Sequence, residues 1–206
     1  MSLHIEHVCL SCRHELPRID HQNFSENELQ KTFWGRLSLE RATAFLWFQK
    51  QGKVQRILHH LKYKGAQELG VTMGEIMASE LIDKGFFNNI DYLIPIPIHA
   101  KKARIRGYNQ SEKLALGINQ LTEIEICTDA IVKEIHTASQ TQKSRFKRWK
   151  NVKATFKLKN VNQLEGKHIL LVDDVLTTGS TVEACGIELL QVPNIKLSLL
   201  TLAFAK

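Results

Sequence analysis

Ile169-Leu170-Leu171-Val172-Asp173-Asp174-Val175-Leu176-Thr177-Thr178-Gly179-Ser180-Thr181 joins an apolar run, two adjacent carboxylates and a hydroxyl-rich glycine turn. Residues 169–172 are apolar without alternation, the pattern of a strand buried on both faces of a parallel sheet. Asp173 and Asp174 stand where that strand is expected to end. Ser180 with Glu183 three residues later is a capping-box pattern, which predicts a helix carrying Val182, Ala184, Ile187, Leu189 and Leu190. A turn over residues 177–181 that opens on a helix N-terminus offers unpaired N–H groups, hydroxyl donors and the positive end of the helix dipole. That setting suits a phosphate. Gly179 lets the backbone approach the anion. Two carboxylates beside a phosphate alone would repel it; they suit vicinal hydroxyls or a metal ion.

Outward from this stretch the chain repeats strand and helix. Residues 41–48 read as a strand, and 53–63 as a helix with Val54, Ile57, Leu58 and Leu61 on one face. Residues 69–82 continue as a second helix with Met73, Ile76, Met77 and Leu81. Residues 90–98 read as a strand interrupted in character by Pro95 and Pro97, 111–121 as a helix, 130–135 as a strand, and 196–205 as the closing strand. Alternation of this kind predicts an α/β fold, a mostly parallel sheet flanked by helices, with ligands at the carboxyl ends of the strands. Residues 1–35 form a polar arm with Cys9 and Cys12 in a Cys-x-x-Cys pair and His7, His14 and His21 nearby; residues 36–206 form the main domain. The 206 residues suffice for one such domain and a small appendage.

The formal net charge is +7, and its placement points to an anionic ligand, either a polyphosphate or a nucleic acid backbone. No acidic residue lies between Glu134 and Glu165, an interval that holds Lys143, Arg145, Lys147, Arg148, Lys150, Lys153, Lys157 and Lys159. A second basic cluster, Lys101, Lys102, Arg104 and Arg106, follows the two prolines. A solvated face is the plainer reading of either cluster by itself. Apolar stretches are too short to span a bilayer, and His4, Glu6 and His7 interrupt the apolar core a secretory signal needs, so a cytoplasmic location is expected. The four cysteines make no regular framework, and Cys127 and Cys185 read as small buried thiols.

The strand, Asp-Asp and Val-Leu-Thr-Thr-Gly-Ser-Thr order resembles the signature of type I phosphoribosyltransferases. Lys-Val-Gln-Arg-Ile-Leu-His-His-Leu-Lys-Tyr-Lys-Gly at 53–65, Arg-Gly-Tyr-Asn-Gln at 106–110 and the Ser-Gln-Thr…Ser-Arg stretch from Ser139 resemble one branch of them, the ComF-like (GntX-like) family of competence-associated homologues. That resemblance, from about residue 33 onward, implies a type I phosphoribosyltransferase fold with a small N-terminal arm. It implies phosphoribosyl pyrophosphate as ligand with Mg2+, a nitrogenous base as acceptor, and a link to DNA uptake or purine-like salvage. Carried over residue by residue, Asp173 and Asp174 would contact ribose, and Thr177, Thr178, Gly179, Ser180 and Thr181 the 5′-phosphate. Ile98, His99, Ala100, Lys101 and Lys102 would form the pyrophosphate loop, with Asn109 and Gln110 as polar contacts. A hood over residues 137–150 would bring Gln140, Lys143 and Arg145 to the reacting groups, giving Asp173, Asp174 and Arg145 the catalytic roles, while Phe146 and Trp149 pack its base. Magnesium would bridge ribose and pyrophosphate oxygens, and no Ser-His-Asp or Cys-His pairing is required.

Three functions remain open on these residues: a phosphoribosyltransferase, a non-catalytic sensor of phosphoribosyl pyrophosphate or a nucleotide, and a nucleic-acid adaptor of the DNA-uptake machinery resting on the basic runs. Relatives of this kind often carry two Cys-x-x-Cys pairs around a structural Zn2+. Cys9 and Cys12 are one pair, so a zinc site would need two of His7, His14 and His21, and a metal-free arm is the expectation. The oligomeric state stays open, a dimer being one arrangement.

Overall fold

The computed structural model describes residues 8–20, 23–134 and 155–205. Five parallel strands lie in the order β1 (Arg41–Trp47), β7 (Lys196–Phe204), β6 (His168–Leu176), β2 (Tyr92–Pro95) and β3 (Glu125–Ile126). The short helices α1 (Leu10–His14) and α2 (Glu28–Lys31) precede β1. Helices α3 (Lys53–Tyr63) and α4 (Gln67–Leu81) lead into β2, and α5 (Ala100–Arg106) and α6 (Gln110–Thr122) follow it. Helix α7 (Ser180–Leu189) joins β6 to β7. Strands β4 (Ile131–Glu134) and β5 (Thr155–Leu158) form a separate antiparallel ribbon.

The unalternating run in β6 is explained by what covers it. Leu170 and Val172 pack with Met73 and Ile76 of α4 and Leu114 and Ile118 of α6, while Ile169 and Leu171 pack with Val182, Cys185 and Leu189 of α7. Both faces of the strand are therefore dry, and every side chain of the run is apolar. The periodicity of α3 is realised as read, with Val54, Leu58 and Leu61 buried and Ile57 partly buried against the same cluster. Val8 and Leu16 join the α4 side and Leu29, Phe33 and Leu37 the α7 side, so the N-terminal residues contribute to both cores. Among the described residues no helix is long and apolar enough to cross a membrane.

Several elements depart from expectation. Strand β6 does not end at Val172; it runs on through both aspartates because β7 continues to pair with it, Asp173 opposite Thr201 and Leu176 opposite Phe204. Strand β2 stops at Pro95 although Ile96 still donates to the Val172 carbonyl at 2.9 Å, since Pro97 has no N–H to extend the ladder. The strand expected at 130–135 forms as β4, but it pairs with β5 outside the parallel sheet; β5 and β3 carry no signal that the sequence reading recognised. Ile187 and Leu190, expected on the apolar face of α7, are exposed.

Two features of this frame position the site. After β2 the chain passes to α6 on one face of the sheet, and after β6 it passes to α7 on the other. The gap between the carboxyl ends of β2 and β6 is therefore a topological switch point, where open α/β sheets hold their ligands. The middle of α6 is fixed by a close crossing with α4: a Cβ added at Gly74 would stand 2.2 Å from the Leu114 carbonyl oxygen, and one at Gly117 2.0 Å from that of Val71. Only glycine allows that approach.

Candidate functional site

The two carboxylates of β6 have different partners. Asp173 Oδ1 accepts from Ser111 Oγ of α6 at 3.0 Å and from the Asp174 backbone N–H at 2.8 Å. Asp174, buried, faces α3, where Lys62 Nζ lies 3.1 Å from its Oδ2. Burial pushes the Asp173 carboxyl up to about 7, the neighbouring charge of Asp174 pushes the same way, and the two hydrogen bonds with the more distant Lys62 offset only part of it. Near neutral pH the Asp173 carboxyl can therefore both accept from and donate to hydroxyl groups.

The turn that follows is built differently from the capping box the sequence suggests. Gly179, not Ser180, is the N-cap of α7, with φ of 77° and no side-chain cap. Thr178 Oγ1 accepts from the Ser180 N–H at 3.4 Å and shares a hydrogen bond with Ser180 Oγ at 3.0 Å. Glu183 does not reach back to the cap; it pairs with Arg36, whose guanidinium also donates to the Thr178 carbonyl at 3.3 Å. The need for glycine at 179 is double: its left-handed φ, and a Cβ that would meet Phe33 Cε1 at 2.9 Å. Phe33 and Arg36 thus back the turn from the N-terminal segment. Thr177, Thr178 and Ser180 stay exposed at its outer side and Thr181 opens the helix beside them.

On the β2 side, Ile98 and His99 precede a helix rather than opening a loop. His99 caps α5, its Nδ1 accepting from the Lys101 N–H at 3.0 Å, and Ala100, Lys101 and Lys102 form the first turn. Asn109 and Gln110, expected as ligand contacts, are buried in the scaffold. Asn109 caps α6 by accepting from the Ser111 N–H at 3.2 Å and donates to the Ile96 carbonyl at 3.1 Å, while Gln110 accepts from Arg106 at 2.7 Å. Tyr108 donates its hydroxyl to the Leu61 carbonyl, tying α5 and α6 to the end of α3. Lys133 of β4 enters from the ribbon: burial and then the charge of Lys102 pull its ammonium below the ordinary value, with Asp173 opposing. Burial and then Asp173 push the Cys185 thiol up.

Gln140, Lys143 and Arg145, with Phe146 and Trp149, lie outside the described residues. Strands β4 and β5 flank that interval, Glu134 opposite Thr155. In the arm, Cys9 caps α1, its Sγ accepting from the Cys12 N–H at 3.3 Å, and both thiols are exposed. That bond is the main reason the Cys9 thiol is held below its ordinary value, and the Cys9–Cys12 side-chain bond raises that of Cys12. Among the described residues no group of three or more metal-ligating side chains assembles; of the histidines named for a zinc set, His7 and His21 lie outside the described residues.

Sequence reasoning missed Ser111, Lys133, Phe33, Arg36 and above all Lys62. One signal was present: Lys62 occupies the i+8 position of the stripe made by Val54, Leu58 and Leu61, where an amphipathic helix calls for an apolar residue.

Residues 65–194, from α4 through β2, the ribbon, β6 and α7, match the phosphoribosyl transferase domain family. The chain belongs to that family, in its ComF-like branch, and its sheet is the type I phosphoribosyltransferase fold. It is similar to the DNA utilization protein YhgH of Escherichia coli O157:H7, 29% identical over 129 residues that make up 61% of this chain and 56% of that protein. Competence protein F of Haemophilus influenzae is 33% identical over 91 residues, 44% of this chain and 40% of the relative. Competence protein ComFC of Bacillus subtilis is 24% identical over 190 residues, 86% and 75% of the two chains. The chain spans about half the length of the first two of these relatives.

Proposed function

We propose that this protein binds phosphoribosyl pyrophosphate with magnesium and transfers the phosphoribosyl group to or from a nitrogenous base. The observation that carries this reading is the continuity of one strand, turn and helix. Two adjacent carboxylates lead directly into a hydroxyl-lined turn at a helix N-terminus, all at the switch point of the sheet. Asp173 and Asp174 grip the ribose hydroxyls; Thr177, Thr178, Ser180 and Thr181, with the N–H groups around Gly179, hold the 5′-phosphate. Residues 98–102 face the pyrophosphate with Lys101 and Lys102, and Gln140, Lys143 and Arg145 are assigned to the leaving group from the basic stretch.

Transfer needs no protein nucleophile. The bond from C1 to the pyrophosphate oxygen breaks with its electron pair leaving on pyrophosphate, and a base nitrogen bonds to C1 and gives up its proton. The protein's part is positioning and charge stabilisation. Asp173 and Asp174 are the residues that would hold magnesium at this site, where it would supply positive charge for the departing pyrophosphate. The names of the relatives, DNA utilization and competence, support placing the activity in DNA uptake.

Calorimetry with magnesium phosphoribosyl pyrophosphate tests the reading. The double variant Asp173→Asn with Asp174→Asn loses binding, since each charge-assisted hydrogen bond is worth about 1.5–3 kcal/mol. Equal affinity in the double variant contradicts it. Tight binding without pyrophosphate release for any purine or pyrimidine base would turn the reading from catalyst to sensor.

A further inference from the structure

Lys62 is the last but one residue of α3, and its ammonium sits on the second of the two acidic side chains rather than in solvent. The side chains of Lys62 and Asp174 are 22% and 11% exposed, so both charges have given up most of their water to be 3.1 Å apart. The placement is anchored on either side. Tyr108 donates to the carbonyl of Leu61, and Arg106 stands over the ring of Tyr63 at 5.7 Å. From Arg41 to Gln67 the chain has no acidic residue at all, and Lys62 is the cation of that stretch paired with the carboxylates of β6.

A buried ion pair is a costly way to fasten a helix. Replacing such a pair by well-packed apolar groups is often neutral or stabilising, so fastening α3 does not account for a lysine on its apolar stripe. The location does. Two adjacent carboxylates repel a polyanionic ligand, and an ammonium on one of them offsets that repulsion while leaving the oxygens in place to accept hydroxyl protons.

We propose that Lys62 is a ligand-binding residue of the phosphoribosyl site, holding Asp174 in its hydroxyl-accepting orientation and donating to the sugar's hydroxyl oxygens as a third member of the diol grip. The inference rests on the phosphoribosyl reading given above. Asp174 and Lys62 together then present an acceptor and a donor to one hydroxyl, as an isolated carboxylate cannot.

The test is calorimetry with three probes, magnesium phosphoribosyl pyrophosphate, ribose 5-phosphate and inorganic pyrophosphate, on wild type, Lys62→Met and Lys62→Arg, with thermal unfolding of each. Lys62→Met weakens both ribose-containing ligands by a similar factor of about ten to a hundred, the loss of one charge-assisted hydrogen bond, and weakens pyrophosphate clearly less, through the loss of the offsetting charge alone. Lys62→Arg recovers most of that loss. Wild-type affinity for ribose 5-phosphate in Lys62→Met, whatever its unfolding temperature, makes the pair a structural fastening and overturns the proposal. A loss confined to the pyrophosphate-containing ligands also overturns it. Failure of the wild type to bind any of the ribose-containing probes removes the phosphoribosyl reading itself, an outcome separate from a wild type that binds and a variant that binds equally well.

Discussion

The phosphate turn and the carboxylate pair are neighbours in sequence, yet they are held by opposite means. The turn takes its backbone conformation locally, from the left-handed Gly179 and the Thr178–Ser180 hydrogen bonds, and only its backing, Phe33 and Arg36, comes from the N-terminal segment. The carboxylates take their properties from far along the chain: Ser111 lies 62 residues from Asp173, and Lys62 arrives from a helix before the matched domain begins. A turn can be specified by a short string of residues. The charge state of a buried acid is set by whatever the fold packs around it.

The largest effect should follow from removing the wall of the turn. Phe33→Ala deletes a wholly buried ring, expected to cost about 3–5 kcal/mol of stability in chemical denaturation. It should also weaken phosphate-bearing ligands, because Gly179 packs on that ring. Unchanged phosphate affinity in a folded variant would mean that the turn holds its shape without support from the N-terminal segment. Ser111→Ala acts on the other half. It leaves the Asp173 carboxyl short of a donor, at about 1–3 kcal/mol, and should weaken ribose 5-phosphate while sparing inorganic phosphate. Equal loss for both ligands would erase the distinction drawn between the two regions.

Asp173 also gives the fold a pH dependence. A carboxyl that binds its proton more tightly folded than unfolded contributes stability that is full below its ordinary value of 3.8 and is lost as pH rises through about 7. Asp174, Lys62, Lys133 and the Ser111 hydroxyl surround it, and none removes the cost of charging it. Asp173→Asn keeps an oxygen for Ser111 and for the Asp174 N–H, so at pH 8 it should unfold at a higher temperature than wild type and lose that advantage toward pH 4. A variant no more stable than wild type at pH 8 would show that the carboxyl is not penalised. The stabilisation would come with lost ligand binding, the trade expected where a strained group is kept for function.

The smallest effect concerns nucleic acid. Charge reversal of Lys147, Arg148 and Lys150, which lie outside the described residues, should reduce a weak, strongly salt-dependent binding of single-stranded DNA. Unchanged affinity at low salt would remove the support that the basic run gives to an adaptor role.

The parallel α/β fold was legible because residues 169–172 and the stripes of α3 and α4 carry their burial in their own periodicity. Pairings between distant segments were not legible: β4 with β5 across the basic stretch, and the continuation of β6 along β7 beyond Val172. Of the site, the acidic pair and the turn could be read from residue type and order. The helical form of residues 100–106 hides behind two prolines that suggest a loop, and the inward turn of Asn109 depends on the Ile96 carbonyl across the switch point. Lys62 left a trace as a charge on an apolar stripe, a departure from pattern whose partner only the assembled sheet supplies.

A crystal structure of the protein with magnesium and phosphoribosyl pyrophosphate tests the central claim most directly. The account predicts the ribose hydroxyls within hydrogen-bond distance of Asp173 and Asp174 and the 5′-phosphate in the turn of residues 177–181. A fully occupied ligand seated elsewhere, or an empty turn at saturating ligand, would contradict it.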